Sequence, residues 1–190
     1  GESSYRGGSG KAMMTAYEEV PSPYAAGAIT GLMSLPSGNL AVLCDTEVYI
    51  GWGQYPAVSF RKQADYGCFE GRSCLAGDEG AWVAGREGVF EFNGNAPRMI
   101  SGDIDRTWQK LVNEGGAAGP IECILGMVQS HLYVGLQTAL SQTWFIWDRR
   151  SRTWCGTWSL PFNANYLYPS RVPGARDRLL MAHPDVENEG

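Results

Sequence analysis

The chain has 190 residues, 44% of them hydrophobic and 18% charged, and a formal net charge of −5. That is enough apolar material to bury the core of one ordinary domain, and the acidic balance argues against broad capture of a nucleic-acid backbone, which needs clustered Lys and Arg. Twenty-five glycines and seven tryptophans favour strands joined by tight turns, and no apolar run has membrane-spanning length, so no membrane insertion is expected.

Residues 1–16, GESSYRGGSGKAMMTA, read as a flexible Gly-rich arm. GGSGK fails as a phosphate loop, because the first Gly of that motif falls on Tyr5 and its Ser/Thr on Ala12. Residues 17–185 read as one β-propeller-like domain, or part of a larger propeller, and 186–190 as a frayed tail.

From residue 28 the chain runs in short apolar stretches separated by turn residues. AITGLMSL, LAVLC and VYIGWG come first, then GRSCLAG, AWVAG, VFEF and APRMIS. Such spacing predicts an all-β array rather than βαβ units. Asn93-Gly94 is a hairpin signal. At an offset of 41 residues Val42 falls on Val83, Val48 on Val89, Tyr49 on Phe90, Gly53 on Gly94 and Pro56 on Pro97. A repeat of that length suits one four-stranded propeller blade, with Gly88 shaping a further turn.

IDRTWQKLVNE, residues 104–114, predicts the one short helix, with Ile104, Trp108 and Leu111 on one face and Gly115-Gly116 as its stop. IECILGMVQSHLYVGLQ and TWFIWDRRSRTWCGTW then form a third unit. In it Asp148 is expected to cap a turn through backbone amides, and Trp154 to pack between sheets. NYLYPSRV and DRLLMAHP begin a fourth, so three to four antiparallel β-meander blades are expected.

The chemistry-bearing residues form no recognisable site. The five cysteines contain no Cys-x-x-Cys and read as reduced thiols; Cys68 and Cys74 do not have zinc spacing. His131 and His183 have no second ligand nearby. Asp103 and Asp105 are compatible with calcium but better suited to capping the helix. No catalytic, cofactor or metal residue is assigned, and no cofactor is expected.

Gly67, Cys68, Ser73, Gly88, Val89, Phe90, Phe92, Gly94, Pro97, Ile100, Ser101, Ile104 and Trp108 follow a pattern that resembles a recurrent segment of the β-propeller hub and nozzle proteins in short-tailed bacteriophage tails. YEEVPSPYAAGAITGLMSL also looks like that family's lead-in to its first blade, so the likeness spans about residues 17–160. Family chains are typically much longer. The Asp148–Trp154 element is similar to kelch blades, but Gly135 stands alone where kelch has a double glycine.

The resemblance implies a non-enzymatic virion structural protein, made in the bacterial host cytoplasm. It would form a homo-oligomeric ring below the portal, contact other tail proteins and touch passing DNA only transiently. Two other readings stand beside it. One is a glycan- or host-surface-binding propeller using Trp52, Trp82, Trp108, Trp144, Trp147, Trp154 or Trp158, although these aromatics suit blade-to-blade packing better. The other is a propeller glycoside hydrolase. Ser151, Thr157 and Trp158 fit an Asp-box, but Thr153 and Cys155 replace its Asp and Gly, and no carboxylate pair can be named.

Overall fold

The computed structural model describes residues 27–54, 57–77, 80–93, 96–139, 141–159, 164, 166–170 and 178–182. Of the residues singled out above, Tyr5, Ala12, Pro56, Gly94 and His183 lie outside these, as do the arm 1–16 and the tail 186–190.

The described strands form an all-β array of antiparallel meanders. The first sheet holds β1 (Ile29–Ser34), β2 (Leu40–Cys44), β3 (Val48–Gln54) and β4 (Ala57–Ala64), paired in chain order. The second holds β5 (Cys74–Gly77), β6 (Gly80–Gly85), β7 (Gly88–Asn93) and β8 (Ala96–Met99). After helix α1 (Asp105–Ala118), the third holds β9 (Glu122–Val128), β10 (His131–Gln137), β11 (Gln142–Asp148) and β12 (Thr153–Ser159). Among the described residues a fourth sheet holds β13 (Tyr166–Ser170) and β14 (Arg178–Ala182). β4 has no counterpart among the apolar runs of the sequence. In AVSFRKQA only Val58, Phe60 and Ala64 are half-buried and the rest are exposed, and it is an edge strand of its sheet.

Sheets stack face to face because each side of the middle one is apolar. Ala81, Val83, Phe90 and Phe92 of the second sheet pack with Met33, Ala41, Leu43, Val48 and Ile50 of the first. Its other side, with Trp82, Ala84 and Val89, joins a core shared with Leu132, Val134, Leu136, Phe145 and Trp147 of the third sheet. β6 is therefore buried along its whole length. The first strands of the sheets also meet in series, β1 touching β5, β5 touching β9 and β9 touching β13.

The 41-residue offset reappears in hydrogen-bond register. Val42 opposes Tyr49 and Leu43 opposes Val48 in the first sheet; Val83 opposes Phe90 and Ala84 opposes Val89 in the second. The correspondence ends at the next hairpin, because in the shared register β3 runs two residues further than β7 before turning. Gly53 lies within β3 at φ +106, whereas Pro97 lies inside edge strand β8 opposite Phe92. Gly88, at φ +144, opens β7 after a two-residue turn.

Helix α1 runs four residues past the expected end, through Gly115-Gly116 to Ala118. Helical glycine costs about 1 kcal/mol against alanine, but Gly115 is buried where any Cβ would collide with Thr138. Close packing on the β10–β11 loop outweighs the propensity. The buried stripe is Trp108, Val112 and Gly115, with Ile104 and Leu111 half-buried beside it. Trp108 is fully buried and donates its indole N–H to Gly85 O at 3.2 Å, tying the helix to the second sheet. Asp103 and Asp105 sit at the helix start, where the macrodipole favours negative charge. Ile104 rather than an aspartate occupies the cap position, and no side-chain cap bond forms there. No helix among the described residues is long and apolar enough to cross a membrane.

Two substitutions test this packing. Trp108→Ala should cost about 3–5 kcal/mol, since it empties the junction of helix and two sheets. Gly135→Ala should cost about 1–3 kcal/mol by overpacking, because a Cβ there would come within 2.6 Å of the Trp144 ring. Denaturant midpoints of both variants against the parent check the order of effects.

Candidate functional site

The residues expected to mark a repeated blade fall into structural positions. Val48 and Val89 are fully buried on equivalent strands, each facing the next sheet in the stack. Tyr49 and Phe90 also occupy equivalent positions, but their surroundings differ. Phe90 stacks on Tyr66 with ring centroids 3.5 Å apart and is covered by the first sheet. Tyr49 lies on the opposite face of the first sheet with Val42, Cys44 and Phe60.

That face carries an ionic cluster that isolated residues in the sequence did not suggest. Tyr49 Oη donates to Glu47 at 2.5 Å, and Lys62 bridges Glu47 and Asp65. Lys62 is exactly opposite Tyr49 across β3–β4. The hydrogen bond to Lys62, then that from Tyr49, holds Glu47 below its ordinary range, while Glu47 pushes Tyr49 up to about 12. The arrangement pins a phenol against a carboxylate; a general base would need the opposite shift.

The connection from the first sheet to the second forms another polar centre. Cys68 N–H donates to Cys44 O at 2.8 Å and Phe69 N–H to Ala84 O at 3.3 Å, so this strap is bonded to both sheets. Gly67 is required here because a Cβ would collide with the Cys44–Asp45 backbone. The strap ends in a single 3-10 turn, Gly71–Ser73. Arg72 reaches from that turn to Glu70 at 2.9 Å and across to Glu122, the first residue of β9, at 3.0 Å. Ser101, buried after β8, accepts the Val89 N–H at 3.0 Å and anchors the chain ahead of the helix.

Asp148 accepts backbone N–H bonds from Arg150 at 3.0 Å and Ser151 at 3.4 Å, and the Ser151 hydroxyl at 2.9 Å. Trp154 is half-buried, meets Phe145 edge-on and donates its indole N–H to Ile100 O at 2.7 Å, linking third sheet to second. Beside it, a shallow recess of about 180 Å³ is lined by Arg98, Ile100, Asp103, Trp147 and Arg152. Arg152 there is paired with Glu91 at 2.7 Å.

The tryptophans divide by burial. Trp82, Trp108, Trp144 and Trp147 are fully buried, whereas Trp52 and Trp158 are exposed on β3 and β12. Gln142 is a further structural residue without any signal in its neighbourhood. Buried, it accepts the Ala164 N–H at 2.8 Å and donates to Ala164 O at 2.9 Å, fixing the chain ahead of β13. His131 lies at the start of β10, and among the described residues no group of three His, Cys, Asp or Glu is placed to hold a metal ion. The chain matches no protein-family model and no curated protein.

The turn at Asp148 gives a pH prediction. Its carboxyl is held below the ordinary 3.8, first by the Arg150 amide and then by the Ser151 hydroxyl. A lowered folded pKa means the stabilisation is present above 3.8 and lost as pH falls through the folded value. Asp148→Asn should therefore lower the urea midpoint at neutral pH. The gap from the parent should close as the pH drops below 3.8; a gap independent of pH would contradict the assignment.

Proposed function

We propose that this chain is a structural component of a bacteriophage virion, a propeller-like tail protein that forms or lines the tail below the portal. The observation that carries the reading is the serial arrangement of meanders, stacked face to face with β1, β5, β9 and β13 touching in succession. Propeller blades are arranged in this way about their axis. The family resemblance supplies the virion context; the stacking supplies the mechanics.

In this reading the protein works as a stiff wedge. Its carboxylates serve structure: Glu47 holds Lys62 and Tyr49, Glu70 and Glu122 hold Arg72, Glu91 holds Arg152, and Asp148 closes a turn. The reading assigns it no catalysis. Its partners are neighbouring tail proteins and further copies in a ring, and the net charge of −5 keeps contact with passing DNA brief.

The docking face follows from the repeat. Val83 and Phe90 face the first sheet, and their equivalents Val42 and Tyr49 lie on the first sheet's far face. Leu32 pairs with Val42, and Leu40 lies two residues from it along β2, so both share that face, 62% and 40% exposed. By equivalence, that is where another sheet of the assembly packs.

A second reading, glycan binding, is favoured by one feature: exposed Trp158 lies 6.0 Å from Tyr133, ring centroid to centroid. Sedimentation and electron microscopy of the purified protein with tail components separate the two. A ring or co-assembly abolished by Leu32→Asp with Leu40→Asp supports the structural reading. A strict monomer that ignores tail proteins, with Trp fluorescence responding to host polysaccharide, would replace it with the second.

A further inference from the structure

The fourth sheet departs from the other three. Each of those has four strands, and its second strand, β2, β6 or β10, is mostly buried. β14 holds the same second place beside β13, yet its Leu180 is 53% exposed, and Leu179 and Met181 are only half-buried. Alternation puts Leu180 on one face of the strand and Leu179 with Met181 on the other, so apolar side chains reach solvent on both. Among the described residues only β13 pairs with β14.

The register shows which backbone groups are left for a further strand. β13 and β14 run antiparallel without a break, Tyr168 facing Leu180 and Pro169 facing Leu179. Pro169 has no N–H, so its pair with Leu179 falls where no hydrogen bonds are exchanged across that ladder. Leu180 therefore bonds inwards to Tyr168, and Leu179 and Met181 point their N–H and C=O groups away from β13. The last strand of each other sheet carries a device against pairing. Lys62 stands on β4, Pro97 on β8, and on β12 an unpaired Cys155 breaks the register. From Leu179 to Ala182, β14 has no charge, no proline and no break.

We propose that β14 is a pairing edge for a second copy of this chain, joined antiparallel to the same strand about a two-fold axis at Leu180. The arrangement is self-complementary. Leu179 exchanges both backbone bonds with Met181 of the second copy, Met181 does the same with Leu179 of the second copy, and the two Leu180 residues face each other between them. Two half-sheets then become one of four strands, in the order β13, β14, β14, β13, which is the strand number of the other three sheets. Five residues of strand bury less than the roughly 1,200 Å² of a stable interface, so the pairing depends on concentration. It uses an edge of the fourth sheet, whereas docking at Leu32 and Leu40 uses a face of the first, and either can hold without the other.

Cysteine mapping tests this on the full chain carrying Cys155→Ser, which removes the exposed thiol. Leu180→Cys is added, and the protein is mildly oxidised at low and high concentration, alkylated and digested with trypsin without reduction. Residues facing each other in this way lie about 4.5 Å apart, Cα to Cα, within disulfide reach. The expected product is peptide 179–190 linked to itself, increasing with protein concentration. Leu179→Cys in place of Leu180→Cys should lose the link, because its twin would lie diagonally across at about 7–8 Å. Leu32→Cys, at a position 62% exposed, measures chance collision. Adding Leu179→Pro to the Leu180→Cys chain removes an outward N–H that β13 does not use. It should abolish the link and leave the circular dichroism unchanged. Leu180→Cys linking no better than Leu32→Cys would overturn the proposal, as would equal linking by Leu179→Cys or a link that survives Leu179→Pro.

Discussion

The six buried residues of β6 are the constraint on which the rest depends. Glycine, alanine and valine flank a single Trp82, and both faces of the strand must be covered by other sheets. At roughly 25 cal/mol per Å² of apolar surface, exposing either face would remove a large part of the driving force for folding. The second sheet is therefore stable only inside a stack. The small residues of β6 let its neighbours approach, and Trp82 fills the space towards the third sheet and the helix.

Connections between the sheets are arranged to preserve that stack. The Tyr66–Ser73 strap bonds to Cys44 on one side and Ala84 on the other, with Gly67 passing where no side chain fits. Trp108 and Trp154 then fasten helix and third sheet to backbone carbonyls of the second. Each link satisfies a buried polar group across a sheet boundary, so sliding one sheet past another would leave donors and acceptors unpaired. The Arg72–Glu122 pair is partly exposed and adds orientation more than stability.

Much of this was legible in the sequence because turns and apolar strands carry local signals. The repeat between residues 42–49 and 83–90 became visible as a common register, since the same strand alternation had to meet the same packing demand. β4 was not legible: an edge strand with one half-buried face has no continuous apolar run. The helix end was misplaced because Gly115 answers to Thr138, a contact 23 positions away in sequence that local propensity cannot express. The site-like clusters were the least visible. Glu47 with Lys62, and Arg72 with Glu122, are assembled by tertiary pairing between residues that look ordinary alone.

The outer strands of the first two sheets have one further consequence. β4 presents exposed Arg61 and Lys62, and β8 contains Pro97, which has no amide proton, followed by exposed Arg98. Charge and a missing donor discourage backbone pairing along those rims. Strand addition along those two rims is thus disfavoured, whereas exposed Leu32 and Leu40 lie on a face of the first sheet. Contact with another molecule is thereby steered away from those sheet edges and towards sheet faces.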